Sequence, residues 1–249
     1  MNLRLFFLPF LLLLLLVSAP VHAGPSEYIY TPGVEYGERE IDFKYGVNSP
    51  SPAGAEGGQY SLGFGWGVTT NWFTELYVIH TRDTGEGFRF EAIEWENKFQ
   101  LTEPGEYFVD LGLVTEIEVP RQSGAPIELK IGALLQKDID KLQLNGNLLF
   151  ERQVHDSSGA EHHTELGYQW QAKYRWRPDL EFGFQGLGTL GKWDDWEKSR
   201  DQVHKAGPAI FGKIKVGDHE AIKYNAALLA GLSDASPHTT LRMQVEYEF

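Results

Sequence analysis

Several groupings in this sequence hold side chains that could do chemistry. Between residues 155 and 163, His155, Asp156, Glu161, His162 and His163 crowd together, and imidazole with carboxylate is a workable ligand set for a borderline metal. His155, His162 and His163 are the candidate ligands, but no pair has a spacing that rigid secondary structure would hold, so the expectation is a solvated loop and no metal. A hydrolase would need a serine beside an oriented base, and on a strand that means Ser and His two residues apart. His155/Ser157 and Ser236/His238 have this spacing, yet both sit in loop-like sequence, so no catalytic residue is assigned and an outer-membrane hydrolase stays an alternative. Trp193 and Trp196, three residues apart, could share one face of a short surface helix and touch a ligand there, or pack on a rim. There is no cysteine, which excludes thiolate metal sites, disulfides and a lipoprotein anchor. No dinucleotide fingerprint is present, and no cofactor is expected.

The remaining titratable residues alternate with apolar ones, and that alternation defines the elements that position them. Twelve period-two runs recur, at about Gly33–Val47, Gln59–Val68, Trp72–Thr81, Phe88–Leu101, Tyr107–Val119, Ile127–Gln136, Lys141–Arg152, Thr164–Trp176, Leu180–Leu190, Ala206–Val216, Ala221–Leu232 and Thr239–Phe249. Successive side chains of a strand point to opposite faces. In the last run Leu241, Met243, Val245, Tyr247 and Phe249 oppose Arg242, Gln244, Glu246 and Glu248. None of the runs is hydrophobic on both faces, as a buried parallel strand would be.

The links between runs alternate in length. Thr69–Asn71, Thr102–Glu106, Lys137–Asp140, Arg177–Asp179 and Gly217–His219 are short, whereas Asn48–Gly58, Pro120–Pro126, His155–His163 and Gly191–Lys205 are longer. Even strand number, alternating faces and alternating links predict an all-β fold: a closed antiparallel up-and-down transmembrane β-barrel of about 12 strands. Both termini and the short turns are expected in the periplasm, with the long loops outside. Tyr60, Trp66, Trp72, Tyr107, Tyr168, Trp176 and Tyr247 lie near run ends on the apolar set, as interfacial aromatics do. Residues 24–249 are assigned to the barrel and residues 1–23 to a signal peptide, because Arg4, the apolar run Leu5–Val17 and Pro20-Val21-His22-Ala23 precede Gly24. The terminal strand resembles the closing strand of bacterial outer-membrane barrels, in which a terminal Phe belongs to the assembly signal. That resemblance assigns Tyr247 and Phe249 this role and implies the barrel-assembly machinery as a partner.

If the apolar set meets lipid, the polar set fills the lumen. Its candidates are Asp42, Lys44, Asp110, Glu116, Glu165, Lys173, Arg175, Lys213, Lys223, Arg242 and Glu246, among a larger set that also includes Glu40, Glu75, Glu94, Glu96, Lys98, Glu118, Glu128, Lys130, Glu151, Glu181 and Glu248. Acids exceed bases, and the chain as a whole carries a net charge of −13. This argues against a nucleic-acid partner and for cation preference in any open pore. The hairpin Gly63-Phe-Gly-Trp-Gly-Val-Thr-Thr-Asn-Trp-Phe-Thr-Glu-Leu76 resembles proteobacterial barrels of the meta-pathway phenol-degradation, transporter-like kind, which implies passage of small molecules. The expected function is a narrow outer-membrane channel or transporter for small solutes. Its alternatives are a plugged structural or adhesive barrel, the hydrolase, and a soluble exported ligand-binding β protein. Intact mass of the protein purified from Gram-negative outer membrane should show Gly24 as the first residue. Retention of residues 1–23 would contradict the signal peptide.

Overall fold

The computed structural model describes residues 24–50, 57–155 and 162–249. The expected signal peptide and the loop residues 51–56 and 156–161 lie outside the described residues. The strands are β1 (Arg39–Asn48), β2 (Gly57–Gly67), β3 (Trp72–Asp83), β4 (Arg89–Gln100), β5 (Asp110–Pro120), β6 (Ile127–Ile139), β7 (Leu142–Val154), β8 (Thr164–Arg177), β9 (Leu180–Lys192), β10 (Asp195–Trp196), β11 (Val203–Lys215), β12 (Ala221–Gly231) and β13 (Thr239–Glu248). Twelve of them are staves of one antiparallel barrel. Each stave pairs with its neighbour in sequence, β9 passes to β11, and β1 pairs with β13 to close the ring. The two-residue β10 folds back on the end of β9.

Closure is what lets this sheet exist in hydrocarbon, since an unpaired edge would leave backbone groups with neither water nor partner. The apolar set faces outward: Leu62, Phe64, Leu76, Ile93, Trp95, Ile131, Leu148, Phe184, Leu228 and Leu241 are all exposed. A contiguous apolar belt of this kind has no place on a soluble monomer, and the chain is a transmembrane barrel of the outer-membrane type. No helix among the described residues is long and apolar enough to cross a membrane; the crossing elements are strands. Aromatic rings gather at both rims. Trp66, Trp72, Trp176, Phe182, Tyr247 and Phe249 ring the end with the short turns, and Tyr60 and Tyr168 stand toward the end with the longer loops.

The structure departs from the sequence reading at several points. The first stave starts at Arg39 and not Gly33, because Gly37 turns the chain at φ +81° and donates to the Gly67 carbonyl at 2.8 Å. Residues 24–38 instead run inside the barrel. The fifth stave starts at Asp110 and not Tyr107, because the Asp110 carboxylate accepts from Gly105 N at 2.6 Å and closes a longer turn. Tyr107 therefore lies exposed in that turn, off the staves, and the β4–β5 link is not short. Trp193 and Trp196 belong to the β9–β10 hairpin and not to a helix, since Asp195 and Trp196 pair with Lys192 and Gly191. A register irregularity falls at Ile79/His80 on β3, opposite Phe90.

The inner segment needs room at the wall. A Cβ on Gly46 would collide with the carbonyl of Pro25, and one on Gly112 with the Pro32 ring. Gly46→Val should therefore leave closure intact while displacing residues 24–32. The expected result is unchanged heat-modifiable gel migration with faster limited proteolysis between Gly24 and Tyr36. An unchanged cleavage rate would show that the segment does not depend on this seat.

Candidate functional site

The pairing registers arrange the inward charges in rows. Glu40 opposes Gly65, which opposes Glu75, and the row continues through Glu96, Glu116, Lys130, Glu151 and Glu165. A second row runs Asp42, Gly63, Tyr77, Glu94, Glu118 and Glu128. Staves of such barrels tilt by roughly 35–45°, so a row of directly opposed residues climbs the wall as it goes around. The first row starts beside the short-turn end at Glu40 and reaches the loop end at Glu165. Like charges directly opposite each other destabilise a sheet, and the rows repeat that arrangement at Glu75/Glu96, Glu96/Glu116, Glu94/Glu118 and Glu118/Glu128. Lysines relieve it in part: Lys130 Nζ lies 2.7 Å from Glu116 and 3.7 Å from Glu151, and Lys44 Nζ lies 3.8 Å from Asp42.

The opposite wall is made of amides. Arg242 donates to Gln185 Oε1, Gln185 Nε2 to Gln171 Oε1 at 2.6 Å, Gln171 Nε2 to Asn145 Oδ1 at 3.1 Å, and Asn145 Nδ2 to Gln136 Oε1 at 2.9 Å. This chain of side chains crosses β13, β9, β8, β7 and β6. It satisfies buried polar groups without adding acidic charge, so the lumen is acidic on one side and neutral to basic on the other.

Between the two walls lies the N-terminal segment, residues 24–38. It begins beside the loop end, where Ser26 Oγ donates to Gln59 Oε1 at 2.9 Å, and leaves at the short-turn end through the Gly37–Gly67 bond. Tyr28 Oη donates to both oxygens of Glu96 at 2.7 and 2.8 Å, and Tyr30 Oη donates to Glu116. The Tyr30 backbone is held on both sides, its N–H by Gln169 Oε1 at 3.2 Å and its carbonyl by Asn147 Nδ2 at 3.0 Å. Val34 N donates to Gln100 Oε1 at 2.9 Å. Two small apolar sockets also receive the segment. Ile29 packs among Leu187, Phe211 and Leu229, and Tyr30 among Val114, Leu134 and Leu149. These inward-facing apolar side chains depart from the polar lining expected from the alternation; they are buried because they hold the segment.

Lys44 ties segment and wall together. Its ammonium lies 3.7 Å from the centroid of the Tyr28 ring and 3.6 Å from that of Tyr77, a desolvated cation between two aromatic faces. Tyr77 Oη and Gln244 Nε2 both donate to Asp42 Oδ2, at 2.7 and 2.9 Å. The segment divides the lumen into two chambers, both bordered by Tyr28 and Tyr30. The short-turn chamber has a volume of about 480 Å³ and the loop-end chamber about 340 Å³.

The candidate residues fall as follows. Asp42, Lys44, Asp110, Glu116 and Arg242 are inward and buried, and Glu246, Glu165 and Lys173 are inward and partly buried. Arg175 stands at the short-turn mouth, 2.9 Å from Asp138, and Lys213 at the same mouth, 2.6 Å from Glu248. Lys223 bridges Glu38 at 2.9 Å and Glu246 at 3.6 Å, and also meets Glu248. At that mouth the Glu38 carboxyl is pushed above its ordinary range by burial and by its contact with Glu248, with Lys223 acting against both. Tyr247 stacks on Phe249 at 5.7 Å, and Phe249 N donates to the Arg39 carbonyl at 2.9 Å beside the closing seam. Trp193 and Trp196 are exposed at the loop end.

His155 is exposed with φ +62°, and much of its loop lies outside the described residues. Among the described residues, the carboxylates close enough to share an ion are Glu38/Glu40/Glu248 and Glu94/Glu96/Glu116, without His155, His162 or His163. Ser236 Oγ bonds the backbone of His204, whose imidazole is occupied by Tyr168 at 2.7 Å and Gln202 at 2.9 Å. Tyr28, Tyr30 and Tyr77 were not evident as lumen residues in the sequence. The clustering of glycines at inward positions 46, 63, 65 and 67 was the available sign that something bulky lies against that wall.

No family model matches the sequence, and no curated protein matches it. Solved structures do. An outer-membrane channel from Pseudomonas putida F1 aligns over 92% of this chain and 98% of its own, with TM-score 0.57 and 12% identity. The NanC porin covers 84% of this chain and 98% of its own, with TM-score 0.53 and 11% identity, and the KdgM porin 84% and 99%, with TM-score 0.52 and 9% identity. At these identities the likeness is one of fold, that of a closed outer-membrane β-barrel.

Removing both phenol hydroxyls, Tyr28→Phe with Tyr30→Phe, should loosen the segment and leave the staves intact. Hydrogen bonds to charged groups contribute about 1.5–3 kcal/mol. Hydrogen exchange at the Tyr30 and Val34 amides should therefore accelerate at least roughly ten-fold, with stave amides unchanged. Equal protection in the variant would show that these bonds do not hold the segment.

Proposed function

We propose that this protein is a narrow outer-membrane channel for small polar solutes, with a preference for cations. The observation that carries the reading is the pair of climbing carboxylate rows on the inner wall. A sheet that keeps like charges directly opposite one another gives up stability, and rings of Asp and Glu in a pore attract cations and repel anions. The low-dielectric wall focuses that field into the lumen. Export through a signal peptide cleaved after Ala23, with long loops outside and short turns in the periplasm, completes the reading. The Gly63–Leu76 hairpin and its likeness to meta-pathway barrels support passage of small molecules.

A second reading is favoured by the N-terminal segment: a barrel whose lumen is plugged and whose role is structural or adhesive. Planar-bilayer recording separates the two, because a plug gives no conductance step and a pore gives one. For the pore, reversal potentials across a salt gradient should show cation preference at 0.1 M salt. That preference should weaken toward 1 M, where the screening length falls from about 10 Å to about 3 Å. Glu94→Gln, Glu96→Gln and Glu116→Gln together should reduce it; anion preference, or a preference indifferent to these changes, would overturn the assignment. Deletion of residues 24–31 should raise conductance several-fold, and an unchanged step would show that the segment does not limit the pore.

A further inference from the structure

We propose that the short-turn chamber is a binding site for small organic ammonium ions, best filled by a linear diamine held between Glu75 and Glu40. This deepens the channel reading and rests on it for its biological sense. The chamber of about 480 Å³ lies within the range of small-molecule sites. Most charges around it are matched: Lys173 lies 3.2 Å from Glu181, Lys223 pairs with Glu38 and Glu246, and Lys213 with Glu248. Glu75, Glu40 and the cation Lys98 are the exceptions, since none of the three makes an ion pair among the described residues. Glu75 is 3% exposed, lines the chamber, and has one carboxylate oxygen with no hydrogen-bond partner. A buried carboxylate left unpaired is costly, and a cationic donor would offset that cost.

The chemistry of the lining selects the kind of cation. Ammonium groups of this chain already sit over aromatic faces along the lumen: Lys44 between Tyr28 and Tyr77, Lys98 at 5.0 Å from Phe73, and Lys173 at 5.4 Å from Phe211. Phe73 and Phe211 both face the short-turn chamber. Glu38, Glu40 and Glu248 lie close enough to share an inorganic ion, but Glu75 stands outside that group, whereas an alkylammonium matches ring faces and both Glu40 and Glu75 together. Glu40 and Glu75 stand two staves apart across Gly65, a backbone separation of roughly 10 Å. A linear diamine can bridge that gap with one ammonium at each carboxylate.

The test is calorimetric titration of the refolded full chain in detergent with 1,4-diaminobutane. 1-Butylamine and sodium chloride at matched ionic strength serve as controls. The expected result is saturable binding of the diamine, at least ten-fold tighter than the monoamine and absent for sodium. Glu75→Gln and Glu40→Gln, which keep shape and should keep heat-modifiable migration, are each expected to weaken it at least ten-fold. Phe73→Leu, which leaves the charge untouched, should weaken it a few-fold. Glu118→Gln, whose carboxylate faces the other chamber, should leave it unchanged. No saturable heat, equal binding in Glu75→Gln, or an equal loss in Glu118→Gln would overturn the site. Conductance is read separately: diamine binding without a conductance step would refute the channel and leave the site standing.

Discussion

The seam between β1 and β13 is the constraint from which the rest of the structure follows. It pairs Ile41 with Tyr247, Phe43 with Val245 and Tyr45 with Met243, and with it the last exposed backbone donors and acceptors find partners inside the protein. In hydrocarbon no alternative partner exists. Once the ring is closed, the two-residue period of every stave divides the side chains into lipid-facing and lumen-facing sets. Only then does the lumen become a compartment in which charge can be held away from bulk water.

The compartment is not uniform. One wall repeats carboxylates across neighbouring staves, and the other passes hydrogen bonds from amide to amide between Arg242 and Gln136. The N-terminal segment lies between them and uses both. Its phenols donate to the acidic wall, and its backbone at Tyr30 is gripped by Asn147 and Gln169 of the amide wall. The small apolar sockets around Ile29 and Tyr30 sit where an open pore would want polar lining, which marks the segment as part of the architecture.

The outside of the barrel was more legible in the sequence than the inside. Lipid imposes a strict period of two, so the runs from Ile127 and from Thr164 could be assigned faces residue by residue, and the number of staves followed. Interior relations depend on register, which is set by turns and by partners far away in sequence. Glu75, Glu96 and Glu116 were recognisable one at a time as inward acids, but their alignment into a row was not. The N-terminal segment was missed for a related reason. Pro25, Pro32 and Gly33 interrupt any period, and Val34 and Tyr36 extended the alternation of β1 backward by chance. Asp110 hid the start of β5 in the same way, since its side chain caps a turn that the alternation had absorbed into the strand.

The direction of the N-terminal segment has a consequence for how the molecule is made. It enters from the short-turn mouth and lies antiparallel to the stave that follows it, with Gly24 near the far end beside Gln59. Occupant and first wall are consecutive in the chain, joined only through Gly37. Threading into a finished ring would draw Tyr28 and Tyr30 past the mouth formed by Glu38, Lys213 and Lys223. Curling the sheet around the segment avoids that passage, with the meeting of first and last staves as the final act. The observed placement is the simpler to reach if the interior is filled before the cylinder is zipped, because the filler lies next to its first wall in the chain.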